Sequence, residues 1–236
     1  MVRLTLTGAE LAGLDIGLPA ASVRILLPRP PSDEVVLPAW NGNEFVDEDG
    51  TRPIIRTLTP LGFDAERLEL DVEIVLHGDG PLATWAGGAQ PGNLAAISGT
   101  GRGYDIDQAA RSFLLAGDES ALPAIAVLLD VLPSAADVAA FIEVADPSGR
   151  REHGTRPGVA VAWCDLAAGA TPGSAILTAV TTAPFGEDVR VWAAGEAAAM
   201  QRLRRHLFDE RGLSRSQVVV RGYWKHGRQG DTVDEF

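Results

Sequence analysis

The segment from Arg111 to Ile125, RSFLLAGDESALPAI, constrains the fold of this chain more than any other. The short apolar run Phe113–Ala116 is unbroken and ends at a glycine, which predicts a buried strand. Gly117–Ser120 is predicted to form a turn, with Ser120 as the N-cap of a helix that begins at Ala121. Such a unit can bind an anion or a nucleotide, because free N–H groups and the helix dipole both point outwards. A purely structural turn is the alternative, since units of this kind are common.

The second half of the chain alternates strand-like and helix-like segments. Strands are predicted at Phe113–Ala116, Val138–Val144, Val159–Trp163, Arg190–Ala194 and Gln217–Tyr223. Helices are predicted at Ala121–Leu132, Gly173–Thr182 and Glu196–Arg211. Alternation of this kind predicts a parallel sheet with helices on its faces. A ligand would then bind beyond the carboxyl ends of the strands.

The first half is typical of an all-β domain. Strands are predicted at Val2–Leu6, Ser22–Pro28, Arg52–Leu58, Arg67–His77 and Asn93–Ser98, with one short helix at Thr84–Ala89. Asn41–Gly50 is predicted to be an acidic loop, and the glycine-rich segment Gly99–Asp107 a linker. Short strands with few helical signals predict a small antiparallel barrel.

Composition excludes several classes of function. The net charge of −12 argues against nucleic-acid binding, although eight basic residues cluster between Arg202 and Arg228. Cys164 is the single cysteine, so neither an intrachain disulfide nor a thiolate metal cluster is expected. No signal peptide or membrane span is evident, and the four histidines lack the spacing of metal ligands. We expect a cytoplasmic protein with no resident metal and no membrane or nucleic-acid partner.

Five segments of this chain resemble one known family. GDESALPAI at Gly117–Ile125 resembles the GDETALPAI of siderophore-interacting proteins, which are FAD-dependent ferric-siderophore reductases of the ferredoxin-reductase-like superfamily. The other four segments follow the order of the family: HGDGPLATWA at His77–Ala86, PGN at Pro91–Asn93, WAAGE at Trp192–Glu196 and GYWK at Gly222–Lys225. The resemblance implies an antiparallel flavin-binding barrel over residues 1–103, followed by a parallel-sheet α/β domain over residues 110–236 that binds NAD(P)H.

The resemblance places FAD on two segments of the barrel. The matching positions are Arg56, Thr57, Leu58, Thr59, His77, Gly78, Gly80, Pro81, Leu82, Ala83, Thr84 and Trp85. Three residues in these two segments differ from the family pattern. Leu58 replaces a tyrosine, Leu61 replaces an arginine and Ala83 replaces a serine. Beyond them, Asn93 replaces an aspartate. For Trp85 the alternative is simple packing at the barrel mouth, and for His77 it is a cap on the strand.

The resemblance places the nicotinamide cofactor, NADH or NADPH, on the second domain. Its positions there are Gly117, Asp118, Glu119, Ser120, Gly195 and Glu196, with Trp224 facing the flavin. Lys225, the only lysine, would attract an anionic ferric siderophore. Arg202 or Arg204 would favour NADPH, or both would belong to an exposed helix face. The chemistry is expected in the groove between the two domains.

The implied function is a transfer of electrons from NAD(P)H through FAD to Fe(III), which releases the iron. The cofactor carries this chemistry, so no catalytic acid or base is expected. Two alternatives remain. One is a flavin reductase with another acceptor. The other is a degenerate member that binds a ligand or partner without redox activity, which Leu58, Leu61 and Ala83 motivate. Family members usually carry a strand before Val2–Leu6, so either the barrel lacks that strand or the start of the sequence is placed too late. A missing strand would expose a sheet edge and could promote dimerisation, so a monomer or weak homodimer is expected.

Overall fold

The computed structural model describes residues 1–76, 78, 80–151 and 156–227. The chain divides into two compact units, Met1–Gly103 and Tyr104–Phe236. Among the described residues, none of the helices combines the length and the apolar character that crossing a membrane requires.

All strand pairs of the N-terminal unit are antiparallel. Its strands are β1 (Val2–Thr7), β2 (Val23–Leu27), β3 (Ala39–Trp40), β4 (Phe45–Val46), β5 (Ile54–Leu58), β6 (Pro60–Asp64), β7 (Glu69–Ile74) and β8 (Ala96–Ile97), and its α-helix is α1 (Pro81–Gly88). They form one sheet in the order β1-β7-β6, a second in the order β5-β2-β8, and the hairpin β3-β4.

The two three-stranded sheets share one core. Alternate residues of β7, Leu70, Val72 and Ile74, are buried, and Val23 of β2 packs in the same cluster. Since antiparallel strands wrap around one apolar interior, the predicted barrel class is confirmed.

Several element boundaries in this unit differ from the sequence prediction. The strand predicted at Arg67–His77 ends at Ile74, and the helix predicted at Thr84–Ala89 begins earlier, at Pro81. Proline is favoured at the first position of a helix, because a backbone N–H there would have no hydrogen-bond partner within the helix. The predicted loop Asn41–Gly50 contains β4, and β6 was not predicted.

The C-terminal unit is a five-stranded parallel sheet with helices, as predicted. Its strands are β9 (Ser112–Gly117), β10 (Asp137–Val144), β11 (Val159–Asp165), β12 (Arg190–Glu196) and β13 (Val218–Trp224). Its α-helices are α2 (Leu122–Val131), α3 (Ser174–Thr182) and α4 (Ala197–Arg205), and α4 continues into a π-helical turn at His206–Glu210. The sheet order is β11-β10-β9-β12-β13.

The strand order of this sheet reverses direction at β9. The chain runs from β9 through β10 to β11 on one side, and then returns to β12 and β13 on the other. Two crossover connections that leave in opposite directions open a crevice at the carboxyl ends of the strands, where ligands of such sheets bind. The ends of β9 and β12 flank this point.

Candidate functional site

The carboxylate of Asp118 lies at this switch point and joins the ends of three strands. Its Oδ2 accepts hydrogen bonds from the backbone N–H of Glu196 at 2.9 Å and from Nε1 of Trp224 at 2.8 Å. Its Oδ1 accepts bonds from the backbone N–H and the hydroxyl of Ser120. Asp118 follows β9, Glu196 ends β12 and Trp224 ends β13. The buried carboxylate of Asp118 therefore connects three of the segments that resemble the family.

Asp118 is only 7% exposed. Burial raises the pKa of its carboxyl group, while its hydrogen bonds from Ser120, Trp224 and Glu196 act in the opposite direction. Its four donors all belong to the chain itself. The carboxylate is therefore committed to internal contacts.

The glycines beside this carboxylate are required by close packing. A Cβ atom on Gly117 would lie 2.4 Å from Cβ of Ala121 and 2.8 Å from the carbonyl oxygen of Ala194. A Cβ atom on Gly195, whose φ is +155°, would lie 2.6 Å from Oδ2 of Asp118. Both glycines permit the contact between the β9 and β12 ends, which explains them without a ligand.

Glu196 is a second buried carboxylate at this edge, with 3% of its surface exposed. It is the N-cap of α4, where its Oε2 accepts the N–H of Ala199 at 2.8 Å. Its Oε1 accepts the backbone N–H of His226 at 3.3 Å. Glu196 therefore connects the start of α4 to the segment that follows β13.

The prediction that Ser120 caps a helix at Ala121 is wrong. Asp118 caps a 3-10 turn at Glu119–Ala121, and α2 begins after it, at Leu122. Asp118 has the extended backbone that a cap requires, with φ of −89° and ψ of −173°. The backbone N–H of Ser120 donates to this side chain.

Other carboxylates are used in the same way along this edge. Glu143, which is 3% exposed, accepts the N–H groups of Gly173, Ala175 and Ile176 and so caps α3. Oε1 of the half-buried Glu119 accepts the N–H of Ala145 at 3.0 Å. The helix starts at α3 and α4 thus already hold a negative group.

The N-terminus of α1, in the other unit, is different. Its N-cap is Gly80, Pro81 occupies the first position, and no described side chain caps it. The first-turn N–H groups of a helix have no intrahelical partner and favour a negative group. Gly78 has a φ of +57° in the turn before it, while His77 lies outside the described residues. The first turn of α1 therefore has the donors that a phosphate needs.

The four residues of the predicted flavin motif lie on β5 and just after it. Nη1 of the half-buried Arg56 donates to the carbonyl oxygen of Ile55 at 2.7 Å. Thr57 is exposed, and Thr59 is buried. Leu58 pairs with Val23 across the sheet and packs against the barrel core. The leucine that replaces the tyrosine thus contributes to the core.

Five of the remaining predicted FAD positions, Pro81 to Trp85, lie in the first half of α1. Leu82 and Trp85 pack against the barrel core, which gives Trp85 the packing role considered from the sequence. Ala83 is half-buried and Thr84 is exposed.

Lys225 is exposed directly after the end of β13. Of the two arginines considered for NADPH, Arg202 is exposed, whereas Nη2 of Arg204 donates to the carbonyl oxygen of Val220 on β13. Within the described ranges, no group of three or more His, Cys, Asp or Glu side chains is arranged to hold a metal ion.

The sequence does not predict the hydrogen bonds that Asp118 accepts from the ends of the neighbouring strands. Trp224 lies 106 positions further along the chain, so no local pattern signals the contact. The one available signal was the presence of GDES, AAGE and GYWK at the ends of strands predicted to lie in one sheet.

Both units match models of known protein families. Residues 1–103 match the family model of the siderophore-interacting FAD-binding domain. Residues 110–227 match the model named siderophore-interacting protein.

Individual proteins extend this comparison. A siderophore utilization protein from T. fusca, of known crystal structure, is 36% identical, with a TM-score of 0.82 over 96% of this chain and 87% of that one. The ferric vibriobactin reductase ViuB of Vibrio cholerae is 28% identical over 238 residues, which cover 100% of this chain and 88% of that protein. A ferredoxin NADP+ reductase from Neisseria gonorrhoeae, at 13% identity, has a TM-score of 0.54 over 88% of this chain and 84% of that one, which supports the ferredoxin-reductase-like fold alone.

Proposed function

Because this chain belongs to the siderophore-interacting protein family, we propose that it is an FAD-dependent reductase that passes electrons from NADH or NADPH to a ferric siderophore. The observation that carries the proposal is the first turn of α1, which lies in the FAD-binding domain and has no side-chain cap among the described residues. The curated relative ViuB supports the same activity, since its name is ferric vibriobactin reductase.

FAD would bind to the N-terminal unit through groups suited to its phosphates. The N–H groups of Leu82 and Ala83, in the first turn of α1, would donate to the pyrophosphate, and the guanidinium of Arg56 would add a positive charge. Gly78 and Gly80 would allow the backbone to approach closely. Pro81, Thr84 and Trp85 would shape this turn, and Thr57 and Thr59 would lie beside the flavin, while Leu58 packs in the barrel core behind them.

When bound, FAD supplies the ability to accept a hydride and release single electrons. The chain's own residues orient the reactants. Glu119 and Ser120 are half-buried, and we propose that they contact the nicotinamide cofactor, while Gly117 and Gly195 keep the strand ends close together. Lys225 would attract the anionic ferric chelate. Fe(II) is a softer ion than Fe(III) and binds oxygen ligands less tightly, so reduction would release the iron.

Reconstitution with FAD tests this proposal. The purified protein should bind FAD and take on the visible absorption of an oxidised flavin, and it should then oxidise NADH or NADPH faster when a ferric chelate is present. An Fe(II)-specific chromogenic chelator should report the product.

Two outcomes would replace the proposal. A protein that binds a ferric siderophore but no FAD would be a binding protein without redox activity, which the core-facing Leu58 would then explain. A protein that binds FAD and oxidises NAD(P)H equally with and without ferric chelate would be a flavin reductase with another acceptor.

A further inference from the structure

We propose that Asp118 is a positioning residue that acts through the indole of Trp224 to fix the direction in which Lys225 leaves the sheet. The role of Lys225 in binding an anionic ferric chelate rests on the proposed function. The contacts that hold the segment are independent of that function.

The first step concerns the residues on either side of Lys225. Nε1 of Trp224 donates to Oδ2 of Asp118 at 2.8 Å, and the backbone N–H of His226 donates to Oε1 of Glu196 at 3.3 Å. The side chain of Lys225 itself is exposed. The lysine is therefore placed between two anchored neighbours.

The second step concerns the sheet, whose ladder of backbone hydrogen bonds ends before Lys225. The pairing of β12 with β13 shifts register between Gly195 and Glu196, so that Glu196 is paired with Trp224. Strand β13 ends at Trp224, and Lys225 lies beyond its ladder of backbone hydrogen bonds. Side-chain anchors must then determine the direction of the chain at this point.

The third step concerns the rigidity of the anchor. Both oxygens of Asp118 are bonded, one to Ser120 and the other to Glu196 and Trp224, so the carboxylate has one orientation. Hydrogen bonds to a charged acceptor in a buried environment are stronger than neutral ones in water. The backbone N–H of Glu196 also donates to Asp118, which couples the two anchors.

The chain offers a matched control in Glu143. This carboxylate is also buried at the end of a strand of the same sheet, and it caps α3 through three backbone N–H groups. Among the described residues, its hydrogen bonds go to Gly173, Ala175 and Ile176, and none reaches the segment after β13. Glu143→Gln should therefore lower the stability of the protein, because it also removes a buried carboxylate, but it should not move Trp224 or Lys225.

Nuclear magnetic resonance tests the anchor directly in the full-length protein. The indole N–H signal of Trp224 is assigned by its loss in Trp224→Phe. In Asp118→Asn the side-chain amide has only one oxygen, so it can accept from only one of the two donor pairs. We therefore expect the indole signal to shift, and the rate at which the indole N–H exchanges with water to rise about tenfold. Glu143→Gln should leave the signal in place. An unchanged signal in Asp118→Asn, or an equal change in Glu143→Gln, would overturn the proposal.

Steady-state kinetics with ferric vibriobactin as the probe tests the consequence in the FAD-loaded protein. Lys225→Ala should raise the KM for the chelate about tenfold, and Asp118→Asn or Trp224→Phe about threefold to fivefold. If Asp118 acts through Lys225, Asp118→Asn should have no further effect on KM in the Lys225→Ala background. Additive effects on KM would overturn the positioning role.

The two arms separate this inference from the proposed function. If the indole signal responds as expected but the wild-type protein neither binds nor reduces the chelate, the proposed function fails and the anchor stands. If the wild-type protein reduces the chelate and Asp118→Asn has an unchanged KM, the positioning role fails and the proposed function stands.

Discussion

Buried carboxylates organise the candidate site at the scale of single residues. Asp118, Glu143 and Glu196 each accept backbone N–H groups at the ends of strands in the C-terminal sheet. A buried carboxylate is costly unless donors surround it, and each of these three has at least two. Their common effect is to join strand ends and helix starts that are far apart in the sequence.

Gly195→Ala tests the close packing around Asp118. The added Cβ atom would lie 2.6 Å from Oδ2 of Asp118, at a backbone φ of +155° that side chains rarely adopt. We expect the free energy of unfolding, measured by urea titration, to fall by about 2–4 kcal/mol. Gly186→Ala is the control, because a Cβ atom there meets nothing within 4 Å. Equal stability of the two variants would show that the contact is absent.

Tyr104 provides a test of burial through pH. Burial raises the pKa of its hydroxyl group from 10.0 to about 12, with Asp107 and Asp105 contributing and Arg190 opposing. Between these values the unfolded chain loses the proton before the folded chain does, so stability falls as pH rises. Relative to Tyr104→Phe, the wild-type protein should lose about 1.4 kcal/mol between neutral pH and about pH 11.

Urea unfolding of both proteins at the two pH values measures this difference. Since every other ionisable group is common to the two proteins, their contributions cancel to first order. A constant difference between wild type and Tyr104→Phe would mean that the hydroxyl group is not buried in solution.

The residues of the site were predicted from the sequence more readily than their contacts were. GDES and AAGE were expected at the carboxyl ends of strands, and that is where Asp118 and Glu196 lie. Serine and aspartate are both good helix caps, so the sequence alone does not decide between Ser120 and Asp118. The choice depends on the backbone angles at Asp118 and on its long-range partners, which only folding brings together.

At the scale of secondary-structure elements, α1 carries the main functional test. No described side chain caps its first turn, so Ala83→Glu places a carboxylate beside the N–H groups proposed for the pyrophosphate. The helix dipole predicts that the FAD-free protein gains about 0.3–1 kcal/mol of stability. Charge repulsion predicts that the affinity for FAD falls by about tenfold or more.

The opposite signs of these two effects make the test selective. Gln90→Glu is the control, because it adds the same charge at an exposed position after the end of α1. Fluorescence titration with FAD measures the affinity, and thermal unfolding of the FAD-free protein measures the stability. An unchanged affinity in Ala83→Glu would remove α1 from the proposed FAD site.

The elements of the C-terminal unit were predicted well, because buried parallel strands are short apolar runs and the helices between them are long enough to show their pattern. On α4 the buried residues Met200 and Leu203 are three positions apart, as expected for one face of a helix. The elements of the N-terminal unit were harder to predict from the sequence. Strand β6 contains Pro60 and Gly62, both unfavourable in strands, and its pairing with β7 shifts register there. The hairpin β3-β4 places Trp40 and Phe45 in edge-to-face contact, although the acidic residues of Asn41–Gly50, which contains β4, predict a loop.

At the scale of the whole molecule, charge is distributed unevenly along the chain. The net charge is −12, yet the segment from Arg202 to Arg228 contains eight basic residues against Asp209 and Glu210. Lys225 lies in this segment and is exposed. A local positive region on an acidic protein favours an anionic ligand over a neutral one, and added salt weakens that preference.

Anaerobic mixing of the reduced, FAD-loaded protein with the ferric siderophore that it binds tests the central claim most directly. The protein is first reduced with NADH or NADPH, and the visible absorption of oxidised flavin and the formation of Fe(II) are then followed together. The proposed reductase should form about two Fe(II) ions per flavin, at the rate at which the oxidised absorption returns. A protein that binds no FAD, or a flavin that stays reduced in the presence of the chelate, would contradict the claim.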